Sequence, residues 1–232
     1  MRGMGSCGPR VVSSLERARM KLIYVGDPMC SWCYGFGKEL SALVARVPDL
    51  KLEIVVGGIR AGATDVLDAT GKRFRLQHWQ RVEALSGLPF NREAFMAREG
   101  FVYDTEPICR AVVAARRFAS GDALLSVFRA LQNGFYVQGL DTTDGRVLSD
   151  IAVTALDAVG VQVSADAFYQ AWEAAETKEE TQRDFARARA LGVASFPTLM
   201  LEEQGRTYAV HSGYASVNVL EERLNEIEGP LA

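Results

Sequence analysis

Two short apolar segments near the start of the chain have the pattern of buried strands. Residues 22–25, LIYV, are continuously apolar and rich in β-formers, which is typical of a central strand covered on both faces. Residues 52–58 form the second such segment. Between them, apolar side chains recur at helical spacing: Leu40, Leu43, Val44 and Val47. Pro48 ends this repeat, so the order predicts a βαβ unit whose strands run parallel.

The pattern changes to helices from about residue 61 to residue 191. Six segments in this range lack strand alternation and are separated by Gly, Pro, Asn and Asp. Thr177 and Glu180 have the spacing of a capping box and predict the start of the last helix, and Gly192 predicts its end after Leu191. We therefore expect an all-helical insertion here.

The last part of the chain returns to strands. Residues 195–201 and 207–213 predict two strands joined by a short connection that contains Gly205. Ser216 can cap a closing helix. The complete order is β-α-β, a run of helices, then β-β-α, which predicts an α/β protein with a thioredoxin fold and a helical insertion between the βαβ and ββα halves.

This order also predicts the domain organisation. We expect residues 21–60 and 192–232 to form the thioredoxin-like domain and residues 61–191 to form the insertion domain. Residues 1–20 have no strand or helix pattern that joins this scheme, and we expect them to be a disordered leader. A chain of 232 residues with 48% hydrophobic side chains is long enough to bury a core without metal or disulfide cross-links.

Charge and hydropathy exclude several function classes. The formal net charge is −3, and no run of Lys and Arg is dense enough for a nucleic-acid interface. No segment has the roughly 18 consecutive apolar residues of a membrane span, and the first residues lack the apolar core of a secretory signal. We expect a cytoplasmic protein that binds neither nucleic acid nor membrane.

The candidate chemistry lies directly after the first strand, where Cys30 and Cys33 have C-x-x-C spacing. A cysteine at a helix N-terminus meets unpaired N–H groups, which stabilise its thiolate, the attacking species in thiol chemistry. Cys33 follows one helical turn later and can resolve a mixed disulfide formed at Cys30. We expect no metal, because a zinc site needs a second ligand pair and Cys7, His78, Cys109 and His211 are scattered. Cys109 itself is interpreted as a small buried hydrophobe.

Four segments resemble the DsbA-like thioredoxin family, especially its cytosolic FrnE-like branch, and the related 2-hydroxychromene-2-carboxylate isomerases and kappa-class glutathione transferases. They are DPMCSWCYGF, YDTEPICRAVVAARRF, ALQNGFYVQGLD and GVASFPTLML. The resemblance implies that Cys30 is the nucleophile, Cys33 the resolving thiol, and Pro197 a cis-proline preceded by Phe196 and facing the motif. The isomerases and transferases typically have serine in place of Cys30, which argues against a non-redox reaction here.

Several neighbouring residues are candidates with a structural alternative. Trp32, Tyr34 and Phe36 either line a substrate groove or pack in the core. Asp27 either tunes proton transfer at Cys30 or forms an ordinary strand-ending turn, which we favour. For His78 and His211 we favour structural or solvated roles over acid–base chemistry.

The leading functional hypothesis is a thiol–disulfide oxidoreductase of the protein disulfide oxidoreductase or isomerase type. It would act on protein or small-molecule thiols and disulfides through Cys30 and Cys33, with Phe196, Pro197 and Trp32 contacting substrate. We expect no cofactor, although glutathione is a possible redox co-substrate. A glutathione-linked transferase or isomerase and a redox-inert binding or chaperone module are the alternatives. We expect a monomer or a homodimer.

Overall fold

Four strands form one mixed sheet in the computed structural model, which describes residues 19–228. Their bounds are β1 Lys21–Gly26, β2 Lys51–Val56, β3 Thr198–Glu203 and β4 Arg206–Ser212. The spatial order is β2-β1-β3-β4, with β1 parallel to β2 and antiparallel to β3, and β3 antiparallel to β4. This is the predicted βαβ and ββα arrangement, so the predicted α/β thioredoxin fold is confirmed.

Nine helices occur within the described residues. They are α1 Ser31–Arg46, α2 Ala69–Ser86, α3 Arg92–Ala97, α4 Glu106–Ala115, α5 Gly121–Tyr136, α6 Gly145–Ala158, α7 Ala165–Glu173, α8 Ala175–Ala190 and α9 Val217–Glu228. Helices α2 to α8 all come between β2 and β3 in the chain, where the helical insertion was predicted. In the part of the chain that the structure covers, no helix combines the length and apolar character needed to cross a bilayer.

Both faces of the sheet are covered, as the apolar β1 segment predicted. Leu22 and Tyr24 point to a large hydrophobic cluster that also takes in side chains from α1 and the insertion helices. Ile23 and Val25 alternate with them and belong to a smaller cluster on the opposite face. The larger cluster is shared by the sheet and the helices, and the division into two domains stays a prediction. An isolated antiparallel bridge joins Val66 to Val102. The segment between β2 and β3, which was predicted to be all-helical, is therefore not purely helical.

The predicted start of the last insertion helix is wrong. Helix α8 begins at Ala175 with Ala174 as its N-cap residue, so Thr177 already lies inside the helix. The Thr177 hydroxyl donates to the carbonyl of Ala171 in the last turn of α7, and no side chain caps the start of α8. Helix α7 ends only two residues before α8 begins, and this tight junction moves the helix start upstream of the capping-box spacing. The predicted end is confirmed, since Gly192 follows the helix at φ +72°.

The predicted leader lies almost wholly outside the described residues, and Cys7 lies outside them entirely.

The closing hairpin is tighter than the sequence predicted, because β3 and β4 extend to Glu203 and Arg206. Gln204 and Gly205 alone form the connection, both at positive φ, which is the backbone form of a two-residue hairpin turn.

Candidate active site

A tight turn between β1 and α1 places Cys30 at the start of the helix. The backbone N–H of Cys30 donates to the carbonyl of Asp27 at 3.0 Å, and Cys30 is the N-cap residue of α1 with φ −84° and ψ 116°. Cys30 therefore lies at the helix end where backbone N–H groups lack partners and favour negative charge, although its side chain makes no capping hydrogen bond there. Cys30 is 7% exposed, whereas Cys33 is fully buried. The arrangement makes Cys30 the more accessible thiol of the pair.

Cys33 has an environment that favours the protonated thiol. Burial raises the pKa of Cys33 well above its ordinary value, and the neighbouring Cys30 sulfur raises it further. Two groups oppose this shift: the backbone N–H of Asp27, which donates to Cys33 Sγ at 3.5 Å, and the Tyr24 hydroxyl. The motif thus pairs an accessible sulfur at the helix end with a buried, protonated one behind it.

The loop before β3 lies against the motif. The Phe196–Pro197 peptide bond is cis, as the resemblance implied. The Cys30 thiol donates to the Phe196 carbonyl, with 3.7 Å between sulfur and oxygen. The Phe196 ring faces away and packs in the smaller hydrophobic cluster, where it lies so close to Gly57 that an added Cβ would come within 2.2 Å of it. The backbone of Phe196 therefore faces the motif, and substrate contacts by Phe196 and Pro197 stay a prediction.

Asp27 is fully buried directly beneath the motif. Its Oδ1 accepts from the Met29 N–H at 2.8 Å and its Oδ2 accepts from the Ile59 N–H at 2.7 Å. Burial raises the pKa of Asp27 to about 6, although its hydrogen bonds, including one with Thr105, lower it in part. Asp27 therefore forms the turn, as favoured from the sequence, and is also a buried acid that can change charge near neutral pH.

An open pocket of about 230 Å³ adjoins Cys30. The side chains that line it include Cys30, Trp32, Arg60, Phe74, Arg75 and His78. Trp32 is held by a hydrogen bond from its Nε1 to Nδ1 of His78 at 3.4 Å. Trp32 and His78 are thus brought together with the motif.

The arginines and Phe74 were not predicted as site residues. They lie far from the C-x-x-C motif in sequence, in the segment after β2 and on α2, and nothing in their local sequence separates them from ordinary surface residues.

The other candidates lie elsewhere. Tyr34 and Phe36 are buried in the aromatic core, where Tyr34 stacks on Tyr136 and Phe36 packs against Tyr24. His211 pairs with a β3 residue in the sheet and does not line the pocket. Cys109 is buried on α4 next to Asp27, and its pKa is raised well above the ordinary value by burial first and then by the Asp27 charge.

Cys30, Cys33 and Cys109 are free thiols in the structure. Within residues 19–228, no group of three or more His, Cys, Asp or Glu side chains is arranged to hold a metal ion.

Solved structures with similar folds include proteins with disulfide chemistry. A Nitrosomonas europaea protein assigned provisionally as a protein disulfide isomerase is 29% identical, with a TM-score of 0.80 over 90% of this chain and 97% of that one. The cytosolic disulfide reductase DsbM from Pseudomonas aeruginosa is 27% identical, with a TM-score of 0.67 over 82% and 88% of the two chains. DsbM has also been solved with GSH.

A more distant structure, a 2-hydroxychromene-2-carboxylate isomerase, has a TM-score of 0.60 over 89% of this chain and 95% of that one. At 14% identity it shows a shared fold alone. A search of curated proteins found no match. The sequence profile of the DSBA-like thioredoxin domain matches residues 21–225, nearly the whole described part of the chain. The chain therefore belongs to the DSBA-like thioredoxin domain family.

Proposed function

We propose that the protein is a thiol–disulfide oxidoreductase that reduces disulfides through Cys30 and Cys33. The observation that carries this proposal is the asymmetry of the motif. Cys30 lies at a helix N-terminus and opens to a pocket, and Cys33 is buried behind it with a raised pKa. This is the arrangement that a nucleophilic and a resolving thiol need.

The proposed reaction has two exchange steps. The Cys30 thiolate attacks one sulfur of the substrate disulfide, forms a mixed disulfide and releases the other half as a thiolate, which takes up a proton. Cys33 then loses its proton and attacks Cys30 Sγ, which releases the second half of the substrate as a thiol. The substrate gains two electrons and two protons, and the enzyme is left with a Cys30–Cys33 disulfide. The Asp27 N–H, which donates to Cys33 Sγ, stabilises the thiolate that forms in the second step.

Glutathione is the proposed reductant, and reduction is the proposed direction. Two glutathione molecules would restore the dithiol and leave as oxidised glutathione, which balances the cycle. The support comes from DsbM, a disulfide reductase that has been solved with GSH and is 26% identical in that structure. A cytoplasmic location would supply reduced glutathione, and this location and the oligomeric state stay predictions.

Turnover of cysteine variants tests the proposal. Reduction of bis(2-hydroxyethyl) disulfide and of insulin would be followed through NADPH consumption by glutathione reductase. We expect Cys30→Ser to abolish turnover and Cys33→Ser to reduce it strongly. Cys109→Ser, which removes a buried thiol outside the pocket, is the matched control and should retain turnover.

The alternatives give different results. Full activity of Cys33→Ser would favour a glutathione-linked transferase or isomerase, in which the second thiol is dispensable. An inactive wild-type protein, reduced or oxidised, would favour a redox-inert binding module and would contradict the proposal.

A further inference from the structure

Two arginines bring positive charge to the wall of the pocket beside Cys30. Arg60 follows β2 and Arg75 lies on α2, and both line the pocket. Among the described residues that line it, none is Asp or Glu. The pocket therefore has the charge of a site for an anion.

The two guanidinium groups are held in place by different contacts. Arg60 pairs with the exposed carboxylate of Asp65, with 2.6 Å between Nη2 and Oδ1, and its Nε donates to the Tyr103 carbonyl at 3.4 Å. Arg75 lies over the Tyr103 ring at 4.5 Å from the centroid and donates through Nη1 to the Gly71 carbonyl at 3.1 Å. Across residues 19–228, no carboxylate oxygen lies within 4.0 Å of an Arg75 nitrogen. Tyr103 thus fixes both side chains without neutralising Arg75.

This arrangement is electrostatically unfavourable in the free protein. Arg75 is half-buried, and its pKa is lowered first by that burial and also by the charge of Arg60, while Tyr103 and the Asp65 carboxylate oppose the shift. A cation in such a place is stabilised by an anion that accepts hydrogen bonds from it. A carboxylate between the two groups would relieve the repulsion and would match the planar donor pattern of a guanidinium group.

Apolar side chains complete the same pocket. Ile59 is 50% exposed and Phe74 is 59% exposed, so the pocket presents apolar surface beside the two arginines. A volume of about 230 Å³ is suited to one ring or one amino-acid-sized group beside the reacting sulfur, and is too small for a folded segment.

We propose that Arg60 and Arg75 bind a carboxylate of the substrate, so that the pocket selects small disulfides with a carboxylate and an apolar group next to the sulfur that Cys30 attacks. This inference rests on the proposed disulfide reduction. Arg60 and Arg75 are substrate-binding residues in this proposal, and they take no part in the exchange of sulfur bonds.

Two chromogenic aromatic disulfides provide the kinetic test. The disulfide 5,5′-dithiobis(2-nitrobenzoate) carries two carboxylates, whereas 4,4′-dithiodipyridine is neutral near neutral pH. Reduced protein is mixed with each in excess, and the second-order rate constant for thiol release is measured. The ratio of the two rate constants is then compared among wild type, Arg75→Gln, Arg75→Lys and Arg73→Gln. Arg73 is the matched control, because it is an exposed arginine on the same helix that does not line this pocket.

We expect Arg75→Gln to lower the ratio of anionic to neutral rate constants by about 10- to 100-fold, the effect of losing a hydrogen bond to a charged group. Arg75→Lys should lie between Gln and wild type, and Arg73→Gln should leave the ratio unchanged. The ratio corrects for any general loss of folded protein. Equal slowing with both disulfides, or the same change in Arg73→Gln as in Arg75→Gln, would overturn the proposal.

A binding measurement separates this proposal from the function on which it rests. Cys30→Ser is titrated with oxidised glutathione and with its fully esterified form, and the intrinsic tryptophan fluorescence, to which Trp32 and Trp79 in the pocket contribute, is followed. We expect the acid form to bind at least about 10-fold more tightly, and Arg75→Gln to remove most of that preference. Equal affinity for acid and ester would overturn the anion site even if the protein reduces disulfides. A clear preference in a protein without turnover would support the site and contradict the proposed function.

Discussion

Replacing Asp27 with Asn should change how the stability of the protein depends on pH. The pKa of Asp27 is raised from its ordinary value near 3.8 to about 6 by burial, so between these values the folded state binds more protons than the unfolded state. The free energy of unfolding therefore falls as pH rises through this window, and the loss is complete about one pH unit above the folded-state pKa.

The shift sets the size of the effect. A raised pKa of this extent corresponds to a loss of about 2 to 3 kcal/mol of stability between about pH 4 and neutral pH. Asn does not titrate, and it also loses one acceptor for the N–H groups of Met29 and Ile59, which is a cost that does not vary with pH. The difference in unfolding free energy, Asp27→Asn minus wild type, should therefore increase by about 2 to 3 kcal/mol over this range, whatever its value at low pH.

Urea unfolding at a series of pH values measures this difference. Asp49→Asn, which removes an exposed carboxylate in the turn before β2, is the control. Its unfolding free-energy difference from wild type should change less with pH than that of Asp27→Asn. A difference between Asp27→Asn and wild type that is constant, or that decreases with rising pH, would refute the assignment of Asp27 as a buried acid with a raised pKa.

Three further predictions concern the motif and its pocket. In the reduced protein, a limiting amount of iodoacetamide should label Cys30 well before Cys33, because Cys30 is the more exposed of the two thiols and lines the pocket, and faster labelling of Cys33 in mass mapping would reverse the assigned roles. Gly57→Ala should cost about 1 to 3 kcal/mol in urea unfolding and slow attack by Cys30, because the new Cβ displaces the Phe196 ring, and unchanged stability would contradict that close approach. Trp32→Ala should raise the KM for small disulfides by about 10-fold with little change in the Cys30–Cys33 reduction potential, and a large change in potential would show that Trp32 acts on the sulfurs.

The fold was predictable because its signals are local. The continuous apolar run of β1, the helical repeat of α1 and the position of Gly192 each depend on neighbours in sequence, and their order determines the connectivity. The position of Cys30 followed in the same way, since a strand end, a turn and a helix start lie within a few residues. The cis-proline loop came from the resemblance alone, because no local pattern shows which part of the chain faces the motif.

The rest of the site depends on contacts between distant segments. Arg60 and Arg75 belong to a loop and a helix whose approach to Cys30 is decided by packing, and an isolated arginine has no sequence signal for this. The burial of Asp27 depends likewise on the N–H group of Ile59 from the segment after β2. At Thr177 a local signal was present but misleading. The capping-box spacing predicted a helix start there, yet α8 begins at Ala175, because the preceding helix ends at Glu173.

Trapping the reaction intermediate tests the central claim most directly. The Cys33→Ser variant is reduced, mixed with a small excess of 5,5′-dithiobis(2-nitrobenzoate), quenched with acid and analysed by intact mass and peptide mapping. The account predicts an adduct on Cys30, identified by peptide mapping, which the wild-type protein resolves to a Cys30–Cys33 disulfide under the same conditions. An unmodified Cys30, or an adduct found first on Cys109, would contradict the assignment of Cys30 and Cys33 as the reacting pair.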